Sequence, residues 1–186
     1  MENFYSHCID KSEIGLYTIQ SLFSDFKELY MNIIEWCKQY NRIYNEYSEL
    51  YHALALSCNI SDTQYWIMYT AYLSEGVVSQ NDLAKLLCSP KQTVNSAVSK
   101  LISKSYVKLE QRLVAGNFKS VELTAEGRRF CEKYIDPMLH AEEKAMSKFS
   151  DSELKEFLQL SNKRLENIRK ELSFVLGETN KNEHTE

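Results

Sequence analysis

Seven polar side chains within ten residues, Lys91, Gln92, Thr93, Asn95, Ser96, Ser99 and Lys100, are the set in this 186-residue sequence whose types and spacing could do chemistry together. They are amides, hydroxyls and cations with no acid among them. Such groups can donate to and accept from base edges and phosphates in a DNA major groove. An ordinary solvated helix face would have a similar composition, so the elements around them decide between the two.

The stretch SPKQTVNSAVSKLI predicts a helix over 89–104, with Ser89 as N-cap, Pro90 at the first helical position and Gln92 completing a capping box. Val94, Ala97, Val98, Leu101 and Ile102 recur at three- and four-residue spacing and predict one buried stripe opposite the polar face. Upstream, Ser79 with Asp82 opens a short helix that Cys88 closes, so two short helices meet at a brief turn. Downstream, Val107, Leu109 and Gln111 alternate with Lys108, Glu110 and Arg112, and alternation resumes from Phe118 to Leu123. Ala115-Gly116-Asn117 supplies the turn between them. That predicts a hairpin over 107–123, a wing on which Arg112, Asn117 and Lys119 could meet a phosphate or the adjacent minor groove. A hairpin that merely covers the helices is the simpler alternative.

Ahead of this lobe, Ile19, Leu22, Phe26, Leu29, Ile33, Trp36, Tyr40, Ile43, Tyr47, Leu50 and Leu54 keep a nearly heptad rhythm without proline. They predict one long helix, or two abutting near Asn41, whose stripe a second chain covers. Ser61 to Gln64 forms a capping box opening the next helix; Ser74-Glu75-Gly76 ends it. Behind the hairpin, Thr124 caps a long helix through Phe149 that Pro137 kinks or restarts, with Asp136 as the new cap. Ser150 and Glu153 box the last helix, whose stripe runs Leu154, Phe157, Leu158, Leu165, Ile168, Leu172 and Leu176 until Gly177 stops it. Residues 1–10 are expected to be frayed and 178–186 a disordered tail. The expected division is a dimerisation helix with its extension over 1–57, a helix-turn-helix lobe over 58–124 and further dimerisation helices over 125–177.

Net charge is −4, which alone disfavours a polyanion partner. Its distribution does not: Ser79 to Val121 holds seven Lys and Arg against Asp82 and Glu110, for +5, leaving −9 elsewhere. There is no 18-residue apolar run and no leader pattern, so a cytoplasmic protein without a membrane partner is expected. Cys8, Cys37, Cys58, Cys88 and Cys131 are odd in number, lack CxxC spacing and read as reduced thiols.

Taken together, SDTQYWIMY (61–69), SQNDLAKLL (79–87), SPKQTVNSAVSKL (89–101) and VELTAEG (121–127), in this order and spacing, resemble the MarR (multiple-antibiotic-resistance regulator) family of winged-helix transcription factors. The resemblance covers about 41–176. It implies a mainly α fold with a small β-hairpin wing, and N- and C-terminal helices that intertwine in a homodimer. It also implies double-stranded DNA carrying a pseudo-palindromic site as partner, with Gln92, Thr93, Asn95 and Ser96 at recognition positions flanked by Lys91 and Lys100. Two departures stand out. The family's wing carries Asp-x-Arg where this chain has Ala115-Gly116-Asn117, with Lys119 the nearest cation, and Tyr106 stands where glycine or a similar turn residue is common.

The family's effector cleft lies near helices where Tyr47, Tyr51, Tyr65, Trp66 and Tyr69 fall here, so these could line a pocket for an aromatic or amphipathic effector. Packing at a dimer interface is the competing explanation. Some relatives sense peroxide through a thiol near the first helix, for which Cys8 and Cys37, beside Lys38, are the candidates. His52, Cys58, Cys131 and His140 share no zinc spacing, and His140 with Glu143 is a common helix-surface pair, so neither metal nor cofactor is expected. No nucleophile elbow, phosphate loop or paired-carboxylate motif is present, and no enzyme is expected. Two alternatives stay open: a winged-helix protein-interaction module without operator recognition, and a thiol redox sensor on the same scaffold.

Overall fold

The computed structural model describes the backbone of residues 11–74, 78–112 and 118–182, and the side chains of 32–74, 78–111 and 118–177. The expectations for residues 1–10, 75–76, 115–117 and 183–186, for the Arg112 side chain, and for Ile19, Leu22, Phe26 and Leu29 as side chains lie outside the described residues. The chain divides after Trp66 into two compact units.

In the first unit α1 (Lys11–Ser57) is a single helix of 47 residues with no break near Asn41. Its heptad side chains stay largely outside any core of this chain: Ile33, Trp36, Ile43, Tyr47 and Leu50 are all more than half exposed. The helix closes on Asn59, which takes the left-handed conformation that asparagine tolerates, while the Ile60 amide donates to the Ala55 carbonyl. Ser61 and Gln64 then form the expected box: the Ser61 amide donates to Gln64 Oε1 at 2.9 Å and the Gln64 amide to Ser61 Oγ at 3.4 Å. This opens α2 (Asp62–Leu73).

The second unit continues through β1 (Val78–Ser79), α3 (Gln80–Leu86), α4 (Lys91–Ser103), β2 (Val107–Arg112) and β3 (Phe118–Leu123). After these come α5 (Ala125–Tyr134), α6 (Asp136–Met146) and α7 (Asp151–Asn182). The strands form an antiparallel sheet in the order β1-β3-β2, with Leu109 and Val78 both opposite Val121. The predicted hairpin is present, whereas β1 was not foreseen. Two residues offer no periodicity, and only pairing with a distant strand makes them extended.

Ser79 caps α3 reciprocally: the Asp82 amide donates to Ser79 Oγ at 3.1 Å, and Ser79 Oγ donates to Asp82 Oδ2 at 2.6 Å. That hydrogen bond, foremost among the causes, holds the Asp82 carboxyl below the usual carboxylate range. A depressed folded pKa stabilises above the ordinary carboxylate pKa and is lost as pH falls through the folded value. Ser79→Ala should therefore cost about 1 kcal/mol at neutral pH. In urea titrations the difference from wild type should shrink as the pH is taken down through the carboxylate range; a difference constant with pH would contradict the box.

Three expectations at helix ends and one of burial are corrected. Ser89 does not cap α4: its hydroxyl donates to the Leu87 carbonyl at 3.1 Å, and Pro90, extended at φ −56 and ψ 139, occupies the N-cap. Asp136 does not cap α6; Ile135 holds that position in helical conformation, with Pro137 in the first turn, and Asp136 accepts from the Tyr72 hydroxyl at 3.1 Å. Gly177 does not stop α7, and the helix replaces the expected tail as far as Asn182. A glycine ends a helix by turning left-handed, whereas Gly177 stays helical at a propensity cost of roughly 1 kcal/mol. Finally, Ile102 is 39% exposed rather than buried, because it falls at the edge of the α4 stripe.

Candidate nucleic-acid interface

Val94, Ala97, Val98 and Leu101 of α4 are buried, and the helix packs on α3 and β2. Full burial of a leucine or valine stabilises by about 1.5–3 kcal/mol, so these four fix the rotation of α4 about its axis. With that rotation set, Lys91, Gln92, Thr93, Asn95, Ser96, Ser99 and Lys100 are all exposed. The structure thus leaves the seven sequence candidates on this helix open to solvent, around its outer side and flanks. Cys88, in left-handed conformation, makes the sharp turn between α3 and α4, and its amide donates to the Lys85 carbonyl.

Because Ser89 turns away, no side chain caps α4. Its first-turn amides and the positive end of its dipole remain there as donors suited to an anion. The sequence suggested the opposite, since a serine ahead of proline has the look of a cap.

On the wing, Lys119 is exposed and pairs in register with Gln111, while the backbone of Arg112 pairs with Phe118. Asn117 and the Arg112 side chain lie outside the described residues. Lys108 is held by the wing itself, 3.1 Å from Glu110 and 3.6 Å from Glu122, and the Glu110 hydrogen bond above all raises its pKa. Part of the positive charge counted in the sequence is therefore matched locally. The wing's base is fixed to α5: the Thr124 amide donates to the Tyr106 carbonyl, and Thr124 Oγ1 accepts from the Gly127 amide at 3.0 Å. Tyr106 packs against Phe130 with the rings tilted and their centroids 4.8 Å apart, and Ser105 before it takes the left-handed turn conformation.

The order of elements is thus two short helices, a hairpin behind the second, and long helices before and after them. No family model and no curated protein sequence matches the chain. Solved structures do. S. aureus MepR in a DNA complex superposes with a TM-score of 0.60 at 20% identity, covering 69% of this chain and 93% of that one. A MarR family regulator from Neisseria meningitidis gives 0.62 at 16% identity, over 73% and 95%. The fold is that of the MarR-family winged-helix regulators. S. aureus MarR in complex with salicylate and kanamycin superposes at 0.57, with 20% identity over 76% and 95%.

The first unit of this MarR fold holds an aromatic cleft of about 330 Å³ lined by Tyr44, Tyr47, Ser48, Tyr51, His52, Asp62 and Trp66. Of the five aromatic candidates it brings Tyr47, Tyr51 and Trp66 together. The hydroxyls of Tyr47 and Tyr51 are 2.9 Å apart, and the ring centroids of Tyr51 and Trp66 are 5.1 Å apart. Tyr65 is buried and meets Trp66 edge-on instead of lining the cleft. Tyr69 belongs to the second unit, where burial, with the Glu142 charge next, raises its hydroxyl pKa. His52 and Asp62, paired at 2.8 Å, were not foreseen as lining groups. They are ten residues apart, and only the turn after α1 brings them together.

Among the described residues no group of His, Cys, Asp and Glu is arranged to hold a metal ion, and no helix is long and apolar enough to cross a membrane. His140 turns Nδ1 toward the Asp136 carbonyl at 2.9 Å rather than pairing with Glu143. Cys37, Cys58, Cys88 and Cys131 are free thiols; Cys8 lies outside the described residues, and Lys38 beside Cys37 is 3.7 Å from Glu35. Burial, with the Asp136 charge next, pushes the Cys131 thiol up to about 12. A variant keeping only Cys131 should resist a disulfide reagent at pH 8 until denatured, whereas one keeping only the exposed Cys88 should react at once. Equal rates in the folded proteins would contradict this burial.

Proposed function

We propose that this chain is a DNA-binding transcriptional regulator of the MarR type, acting as a homodimer on a pseudo-palindromic site through 89–104 and the wing 107–123. The observation that carries it is the outer side of α4. It presents Lys91, Gln92, Thr93, Asn95, Ser96, Ser99 and Lys100 and no acid, while the opposite side is anchored by buried Val94, Val98 and Leu101. Arg112, Asn117 and Lys119 belong to the wing contact in this reading. That a protein of this fold has been solved on DNA supports it.

The dimer rests on apolar side chains that a single subunit leaves uncovered: Ile33, Trp36 and Leu50 on α1, and Phe157, Leu165 and Leu172 on α7. Two recognition helices must enter successive major grooves one helical turn apart, so a small change in the spacing of the two lobes weakens binding. An aromatic effector in the cleft of Tyr47, Tyr51 and Trp66 would act through that spacing. That another protein of this fold has been solved with salicylate supports an effector of this kind.

Gel shifts of the full chain on genomic and on random duplex DNA, at 50 and 200 mM salt, test the reading. Tighter retention of particular genomic fragments, weakening by orders of magnitude with salt, is expected. No retention at either salt would overturn it and leave the protein-interaction module.

A further inference from the structure

We infer that α4 reads adenine·thymine pairs at the centre of each half-site, through Gln92 and Asn95. This rests on the DNA-binding reading above and adds which bases the face selects. At about 100° per residue, the buried Val94, Ala97, Val98 and Leu101 define the inward direction of α4. Directly opposite stand Gln92, Ser96 and Ser99, with Asn95 about 70° to one side. The two cations are at the margins. Lys100 lies about 70° and Lys91 about 110° from the outward direction, on opposite flanks and about 13 Å apart along the axis. From these margins the long lysine stems reach the two phosphate walls of a groove, whereas Asn95, at the same angle as Lys100 but with a short side chain, stays over the base edges at the border of the floor.

Of the floor-facing groups, the exposed Ser96 hydroxyl suits either kind of base pair and selects neither. Ser99 Oγ donates to the Asn95 carbonyl at 2.9 Å and Ser103 Oγ to the Lys100 carbonyl at 2.7 Å, so both hydroxyl protons are committed to the helix itself. The amides of Gln92 and Asn95 are exposed, and neither is hydrogen-bonded to another described residue. A carboxamide carries one acceptor and two donors, which match the N6 amino group and N7 of adenine as a bidentate pair. Guanine offers two acceptors there and calls for arginine or lysine. Helix α4 contains no arginine, and its lysines stand at the margins. Adenine is the base this floor fits.

The test is selection of duplexes from a randomised pool by the full-length protein, followed by affinity measurement on the selected sequence. Each half-site should carry A·T pairs at fixed positions, and changing one to G·C should weaken binding about tenfold or more. Substituting 7-deazaadenine there, which removes N7 and leaves the pair intact, should produce a similar loss. Gln92→Ala and Asn95→Ala should each become indifferent to one pair while still binding the duplex. Both side chains are exposed, so neither change threatens the fold. A selected core of G·C pairs would overturn the inference, as would an A·T preference that survives both alanine variants and 7-deazaadenine. In either case the protein still binds DNA and the regulator reading stands. Recovery of no duplex would overturn that reading, and this inference with it.

Discussion

Alanine at Gly127 should lower the stability of the protein by about 3 kcal/mol, because the added methyl has nowhere to go. A Cβ on this residue would lie 1.9 Å from the Tyr106 carbonyl oxygen and 2.8 Å from its carbon. Both are backbone atoms, so no side-chain rotation relieves the overlap. The same carbonyl accepts the Thr124 amide, and Thr124 Oγ1 caps α5, so a shift of Tyr106 also loosens the base of the wing. Helix propensity pulls the other way, favouring alanine by about 1 kcal/mol, which is too little to reverse the sign. Thermal unfolding followed by circular dichroism should show a midpoint roughly 6–12 °C lower. A midpoint equal to or above wild type would contradict the close approach of α5 to the turn before β2.

The second large effect concerns binding. In the proposed dimer Lys91→Ala combined with Lys100→Ala removes four cations, so the slope of log affinity against log salt should flatten by about 3.6. Extrapolated from 1 M salt, that corresponds to about a thousandfold weaker binding near physiological ionic strength. The loss should be uniform across sequences, because phosphates carry no base information. Both lysines are exposed and should leave the unfolding midpoint within a degree or two of wild type. A loss confined to one DNA sequence would reassign them to base contact, and unchanged slopes would remove α4 from the interface.

Much of this architecture could be read from the sequence because its signals are local. The boxes at Ser61/Gln64, Ser79/Asp82 and Ser150/Glu153 each form within four residues, and each is present with its reciprocal hydrogen bonds. The buried side of α4 follows from 3.6-residue spacing, and with it the exposed side. What the sequence hid depends on partners far along the chain. Strand β1 exists through β3, and the need for glycine at 127 exists through Tyr106. The cap at Ser89 failed for a local reason: Pro90 holds an extended conformation at the N-cap and displaces Ser89 beyond reach of the first-turn amides. The aromatic cleft was half legible. Tyr47 and Tyr51 share a helix face by spacing, whereas Asp62 joins His52 only across the turn that ends α1.

Hydroxyl-radical footprinting of the full chain on its selected duplex tests the central claim most directly. Two protected segments centred about ten base pairs apart are expected, one for each α4 of the proposed dimer, and both should vanish with Lys91→Ala and Lys100→Ala. A single protected segment, or two that persist in the double variant, would contradict the assignment of this helix face to DNA.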